Sequence, residues 1–210
     1  MKCTVMSAWL VLGAVLATSA APPPAMAQNW LFEQHKNSVN DKLLVRFPKK
    51  YKPGDIIVSF GDRRLYHVTG RGRAMSYPIA VPRAESRWEG FERVTRKAVN
   101  PSWTPTASMR KENPDLPAFV PGGHPQNPMG VRALYLGNTL YRIHGTDAPW
   151  TIGDNVSKGC VRMHNEHVIE LYNRVKVGTR VLATWDKLKA SPLHPTQADE
   201  EFANIFKSTR

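Results

Sequence analysis

The sequence predicts a mainly β domain interrupted by one helix, and three observations lead there. Short runs rich in β-branched and aromatic residues recur between residues 55 and 185; Gly and Pro punctuate them; and a single stretch, "EHVIELYNRV", carries apolar residues at helical spacing.

In chain order, "DIIVSF", "RLYHVTG" and "AMSYPIAV" read as the first strands, with a tight turn at Gly61-Asp62 between the first two. "RVTRKAV" follows, then "VRALYLG" and "TLYRIHG" across Gly137-Asn138, and "RVLATW" near the end. The helix follows Asn165 as its expected cap. Glu166 sits at its positive end, Val168, Ile169, Leu171, Tyr172 and Val175 form the apolar face, and Gly178 closes the next turn.

Three stretches break this pattern. Residues 28–53 form a lead-in without a clean period, for which one short helix over Asn37 to Val45 is expected. Val99 to Gly130 carries seven prolines, which lack an N–H donor, so it cannot be a central strand and reads as a long ordered loop. In the tail, residues 187–210, Ala198 to Phe206 is an amphipathic segment with the pattern of a C-terminal helix.

The chain of 210 residues is 41% hydrophobic and 22% charged, ordinary for a globular protein with one sizeable core. Residues 1–27 read as a secretory signal peptide: Lys2 gives a positive start, Ala8 to Ala17 is a short apolar run, and Ala25 and Ala27 precede a cut at Gln28. The apolar run is shorter than the about 20 residues that span a bilayer, so no transmembrane segment is expected in the mature chain. Export to the periplasm or cell wall is expected, with Cys3 removed and Cys160 left as the single thiol. No internal disulfide is then possible, and an unpaired thiol in an oxidising compartment is a liability that chemistry gives a reason to tolerate.

The formal net charge of +12 is spread along the chain, as in Lys49-Lys50, Arg63-Arg64 and Arg96-Lys97, and favours polyanions. For an exported chain these are anionic wall polymers or head groups rather than nucleic acid.

The chemistry concentrates in "IHGTDAPWTIGDNVSKGCVRMHN", Ile143 to Asn165. A cysteine nucleophile needs a base, and imidazole suits neutral pH; His144, His164 and His167 are the nearby candidates. His144 ends a strand, and Gly145 lets the chain turn after it. Cys160 follows Gly159, which permits an unusual dihedral or a close backbone approach just before the thiol. Cys160, His164 and His167 also raise a metal alternative, but their spacing is not a common zinc signature, so no metal is expected. His164 is expected to pack near the helix start and His167 to be solvated.

The combination H-G-T, a gap, then S-x-G-C-V-R-M-x-N resembles the L,D-transpeptidase catalytic domain, the YkuD or ErfK type, over roughly Asp55 to Trp185, with "YPIAVPR", "NPSWTPT" and "PGGHPQNPMGVRALYLG" in its span. The resemblance implies a mixed β-sandwich with catalytic bounds at residues 54–186. It also implies an enzyme without cofactor that acts on peptidoglycan tetrapeptide stems. In that family a thiolate attacks the third stem residue, D-alanine leaves, and the thioester passes to an amine of another stem or of an envelope protein. On this reading Cys160 is the nucleophile and His144 the base. Backbone N–H groups at Gly159 and Cys160 form the oxyanion site, and Ser157 or Gly145 orients the imidazole. Arg162 either holds a substrate carboxylate or braces the turn. Trp150 and Trp103 either line a groove or anchor loops. A carboxypeptidase or amidase on the same fold, with water as acceptor, and a non-catalytic wall-binding protein are the alternatives.

Overall fold

Alternating side chains on the early runs become strands with two buried faces. In β2 (Ile56–Ser59), Ile56 and Val58 join one core while Ile57 joins another on the opposite side of the sheet. In β3 (Arg64–Gly70), Leu65 and Tyr66 divide the same way, as do Met75 and Ala74 in β4 (Arg73–Pro78). This follows from the two-residue period of an extended chain. The structure, a computed structural model, describes residues 41–193.

Ten strands form one curled sheet. The remaining members are β1 (Leu43–Arg46), β6 (Gly90–Val99), β7 (Arg132–Leu136), β8 (Arg142–His144), β10 (Val161–Arg162), β11 (Arg180–Thr184) and β12 (Ser191–Pro192). Their order is β10-β8-β7-β6-β11-β2-β3-β4-β1-β12, and β5 (Val81–Pro82) pairs separately with β9 (Asn155–Ser157). β6 joins the two halves: its first residues pair with β11 and its last with β7, across a register shift between Val94 and Arg96. The main core brings together Leu65, Tyr77, Leu134, Ile143 and Met163 with Val168 and Leu171 of the helix α2 (Asn165–Arg174). This is the mainly β, sandwich-like architecture with a helix after Cys160 that the sequence predicts.

Several local expectations are corrected. The lead-in helix is instead a strand over Leu43–Arg46: Leu44 and Val45 are buried on opposite faces, and β1 pairs with β4 and β12. Sheet pairing outweighs the weak local helical tendency there. β1 and β12 both lie outside residues 54–186, yet both belong to the sheet. The Pro-rich loop carries a short helix, α1 (Ala107–Glu112), capped by Thr106, whose hydroxyl accepts from the Met109 N–H at 3.2 Å. Asn165 does not cap α2; His164 holds that position, and Asn165 is the first helical residue. Residues 1–27, most of the lead-in and the segment 198–206 lie outside the described residues. Among the described residues, no helix is long and apolar enough to cross a membrane.

Leu134 is fully buried in the main core at the centre of β7. Leu134→Ala is expected to cost about 2–5 kcal/mol of unfolding free energy, read as a lower urea midpoint with unchanged slope.

Candidate active site

Two short parallel strands bring the candidate residues together. β8 and β10 pair with His144 opposite Arg162 and Ile143 opposite Val161. Ile143 and Val161 are both fully buried in the main core, so Arg142 and His144 take the other face of β8, and Arg162 that face of β10. Cys160, two residues before Arg162, continues that face beside Arg142. At about 3.3 Å per residue and about 4.8 Å between strands, the Cys160 and His144 Cα atoms are offset by roughly 8 Å along a diagonal. Two side chains can close such a gap.

The imidazole is fixed from behind. His144 is 5% exposed, and its Nδ1 lies 2.6 Å from the Gly145 carbonyl oxygen. A carbonyl only accepts, so Nδ1 carries the proton and Nε2 is left with its lone pair. Asn165 holds the chain just beyond. Its Oδ1 accepts from the Thr146 N–H at 3.1 Å and the Val131 N–H at 3.4 Å, and its Nδ2 donates to the Thr146 carbonyl at 2.9 Å. A Cβ on Gly145 would collide with that same Oδ1, which explains the glycine after the histidine.

The thiol sits on a turn in which successive peptide groups are held. Gly159 has φ +113°, and a Cβ there would stand 2.5 Å from Tyr141 Cε1, so only glycine fits on both counts. Ser157 Oγ donates to the Cys160 carbonyl at 2.5 Å and accepts from the Gly159 N–H at 3.3 Å. Ser157 therefore braces the turn and does not orient the imidazole, which Gly145 does. The same bond occupies the Gly159 N–H and leaves the Cys160 N–H as the stronger oxyanion candidate. The Gly159 carbonyl accepts from Trp88 Nε1 at 2.8 Å, and the Trp88 ring stacks on Tyr141 with centroids 4.4 Å apart and planes 6° from parallel.

Charge and burial set the resting state. The Cys160 thiol is half-buried, and its Sγ lies 3.6 Å from the Leu140 carbonyl oxygen. Burial raises its pKa, opposed by the charge and hydrogen bonds of Arg142 and by the charge of Arg162. Burial, then the Arg162 charge, lowers His144 to about 4. At neutral pH both groups are therefore uncharged, and the thiolate arises only as the proton moves. Arg142 was not foreseen, although its place two residues before His144 on a strand is legible from period-two spacing alone.

The remaining expected residues divide. Arg162 donates from Nη1 to Thr151 Oγ1 at 2.8 Å, which braces the segment between His144 and Cys160, while its buried Nε has no protein partner. Trp103 anchors the long loop through paired backbone bonds to Val120, at 2.9 and 2.8 Å. Trp150 is 77% exposed on the short helical turn Pro149–Thr151. His167 is buried, 8% exposed, with its ring 5.6 Å from Tyr77, which corrects the expectation of a solvated residue. His164 packs edge-on against it at 5.3 Å. A hollow of about 330 Å³ lined by Lys50, Tyr51, Phe91 and Arg180 shares no residue with the Cys160 cluster and carries none of its chemistry.

The family description "L,D-transpeptidase catalytic domain", of the YkuD type, matches residues 53–182. The chain belongs to this family. It is 41% identical over 174 residues to the probable L,D-transpeptidase YbiS of Escherichia coli K12, covering 73% of this chain and 56% of that protein. The probable L,D-transpeptidase ErfK/SrfK of Salmonella typhimurium is 43% identical over 133 residues, covering 60% and 42%. The chain thus spans about half the length of these curated relatives. A crystal structure of an L,D-transpeptidase from Mycobacterium tuberculosis H37Rv is 18% identical with a TM-score of 0.46, covering 61% of this chain and 56% of that one.

Within this family member, Cys160 alkylation by iodoacetamide should titrate with a midpoint above the about 8.5 of a free cysteine. Arg142→Gln should move that midpoint further up, because it removes the cation that opposes burial. Stability should fall on mild acidification. His144 and His67 are both held near 4, so the unfolded chain takes up protons between about pH 6.5 and 4 that the folded chain refuses. Their contribution is complete above that window and is lost as pH falls through it, which thermal melts at pH 7, 5.5 and 4.5 read directly.

Proposed function

We propose that the chain is an exported cysteine L,D-transpeptidase acting on peptidoglycan tetrapeptide stems. What supports this reading is His144 on β8 with its Nδ1 proton held by Gly145, which leaves Nε2 to act as a base, and Cys160 immediately before β10, the strand that pairs with β8. Support for export comes from the leader-like residues 1–27.

The chemistry proceeds in two balanced halves. Cys160 Sγ attacks the carbonyl of the third stem residue as its proton passes to His144 Nε2, and the carbonyl oxygen takes the negative charge. Collapse breaks the C–N bond to the terminal D-alanine, whose amine leaves with the proton from His144. A thioester remains. An acceptor amine then attacks it and gives a proton to His144, the C–S bond breaks, and the sulfur recovers the proton. The acceptor is a side-chain amine of a second stem, giving a 3→3 crosslink, or a lysine of an envelope protein.

Arg142 and Arg162 suit this sequence. Their charges oppose the burial that raises the Cys160 pKa, and they add to the burial that lowers that of His144, so both disfavour a resting imidazolium. They also place positive charge where an oxyanion and the carboxylates of a stem arrive. Thiol, imidazole and backbone donors supply what acyl transfer needs, without a metal or organic cofactor. Periplasmic or wall association follows from the leader and from a basic surface suited to anionic polymers.

Incubation with a defined tetrapeptide stem and mass analysis of products tests the reading. A crosslinked dimer, free D-alanine and a transient adduct on Cys160 are expected. Trimmed monomer alone identifies a carboxypeptidase instead. Cys160→Ser should bind stem but form no thioester, and His144→Gln should lower the acylation rate by about 10²–10⁴-fold.

A further inference from the structure

We infer that Trp88 is a positioning residue for the oxyanion site, acting through the peptide bond that joins Gly159 to Cys160. Its place explains why. Trp88 lies more than seventy residues upstream, between the helical turn Ala84–Ser86 and β6, yet its indole N–H reaches the Gly159 carbonyl at 2.8 Å. In a trans peptide the carbonyl and the following N–H point in opposite directions across one rigid plane. A donor that fixes the Gly159 oxygen therefore also fixes the direction of the Cys160 N–H.

That direction is otherwise weakly determined. Gly159 has φ +113°, a region in which glycine is conformationally free, and no side chain of its own restrains the plane. Ser157 binds the peptides on either side, through the Gly159 N–H and the Cys160 carbonyl, but not this one. The indole supplies the missing restraint and also polarises the peptide, so that the Cys160 N–H becomes a better donor to a developing negative charge.

The indole is itself held on two sides. Its face stacks on Tyr141, and its ring meets Phe60 edge-on with centroids 5.6 Å apart. Tyr141 in turn presses against the position where a Gly159 side chain would stand. Trp88, Tyr141 and the Gly159 backbone form one packed stack, so the N–H arrives at a fixed point.

This assignment rests on the acylation of Cys160 proposed above, and the test separates the two. Acylation by a tetrapeptide stem builds charge on an oxygen; alkylation by iodoacetamide, a displacement at a CH₂ carbon, does not. Trp88→Phe keeps an aromatic ring between Tyr141 and Phe60 but removes the donor. It should lower the single-turnover acylation rate and kcat about 10- to 100-fold while leaving KM and the alkylation rate within twofold. Equal acylation by Trp88→Phe and wild type, or a parallel loss of acylation and alkylation, overturns the assignment of Trp88. A wild-type protein that forms no thioester overturns the functional reading, and this inference falls with it. Should Trp88→Phe fail to fold, 3-benzothienylalanine at position 88, which replaces only the N–H by sulfur, reads the same ratio of acylation to alkylation and decides the matter.

Discussion

The site depends on the parallel pairing of two strands only three and two residues long. Setting His144 opposite Arg162 puts imidazole, thiol and two guanidinium groups on one face of the sheet. A slip of one residue would turn Cys160 towards the core and Val161 out of it. So short a ladder is weak alone, and its register is held from outside. Ile143 and Val161 are buried, the Met163 N–H donates to the His144 carbonyl at 2.8 Å, and Ala80 and Arg162 exchange backbone bonds at 2.9 and 3.2 Å. Asn165, where the helix begins, then ties residues 131 and 146 to the same point.

That arrangement also bears on how Cys160 rests as a free thiol. A resting thiolate beside an imidazolium would be reactive at once, towards oxidants as well as substrate. Here burial outweighs the two arginines for Cys160, and the same arginines push His144 down rather than up. The pair rests neutral. Under the proposed chemistry, proton transfer becomes favourable only when a carbonyl is present to draw on the sulfur, so reactivity is coupled to occupancy. The cost is a weaker base, and the cations beside the reaction offset it by favouring the negative species on the path.

Legibility in the sequence followed the range of the interactions. The period-two runs from "DIIVSF" to "RVLATW" revealed themselves because local alternation is enough to mark a strand with one or two buried faces. Cys160, His144 and the glycines beside them were legible as a motif at fixed spacing. What stayed hidden was set by distant partners. Residues 43–46 look locally helical, but they are a strand because β4 and β12 lie beside them. Asn165 resembles a cap, but its amide is taken by residues 131 and 146. His167 reads as surface until Tyr77 covers it. Trp88 gave no signal at all, since nothing local relates an indole at 88 to a carbonyl at 159.

The same logic accounts for the Pro-rich loop, whose composition announces irregularity but not attachment. Its helix α1 presents Ser108 and Glu112 to Lys158, two residues before the thiol: Lys158 Nζ donates to Ser108 Oγ at 3.2 Å and pairs with the Glu112 carboxylate. Arg83 reaches Glu112 from the other side at 3.3 Å, and two backbone bonds between Trp103 and Val120 close the loop at its base. Both ion pairs end on the exposed Glu112 carboxylate, so each contributes little and is screened by salt. They join the loop to the turn that carries Cys160. The turn that carries Cys160 is thus held by Ser157, by Trp88 and by α1, and only the last of these is held by charges that solvent can reach.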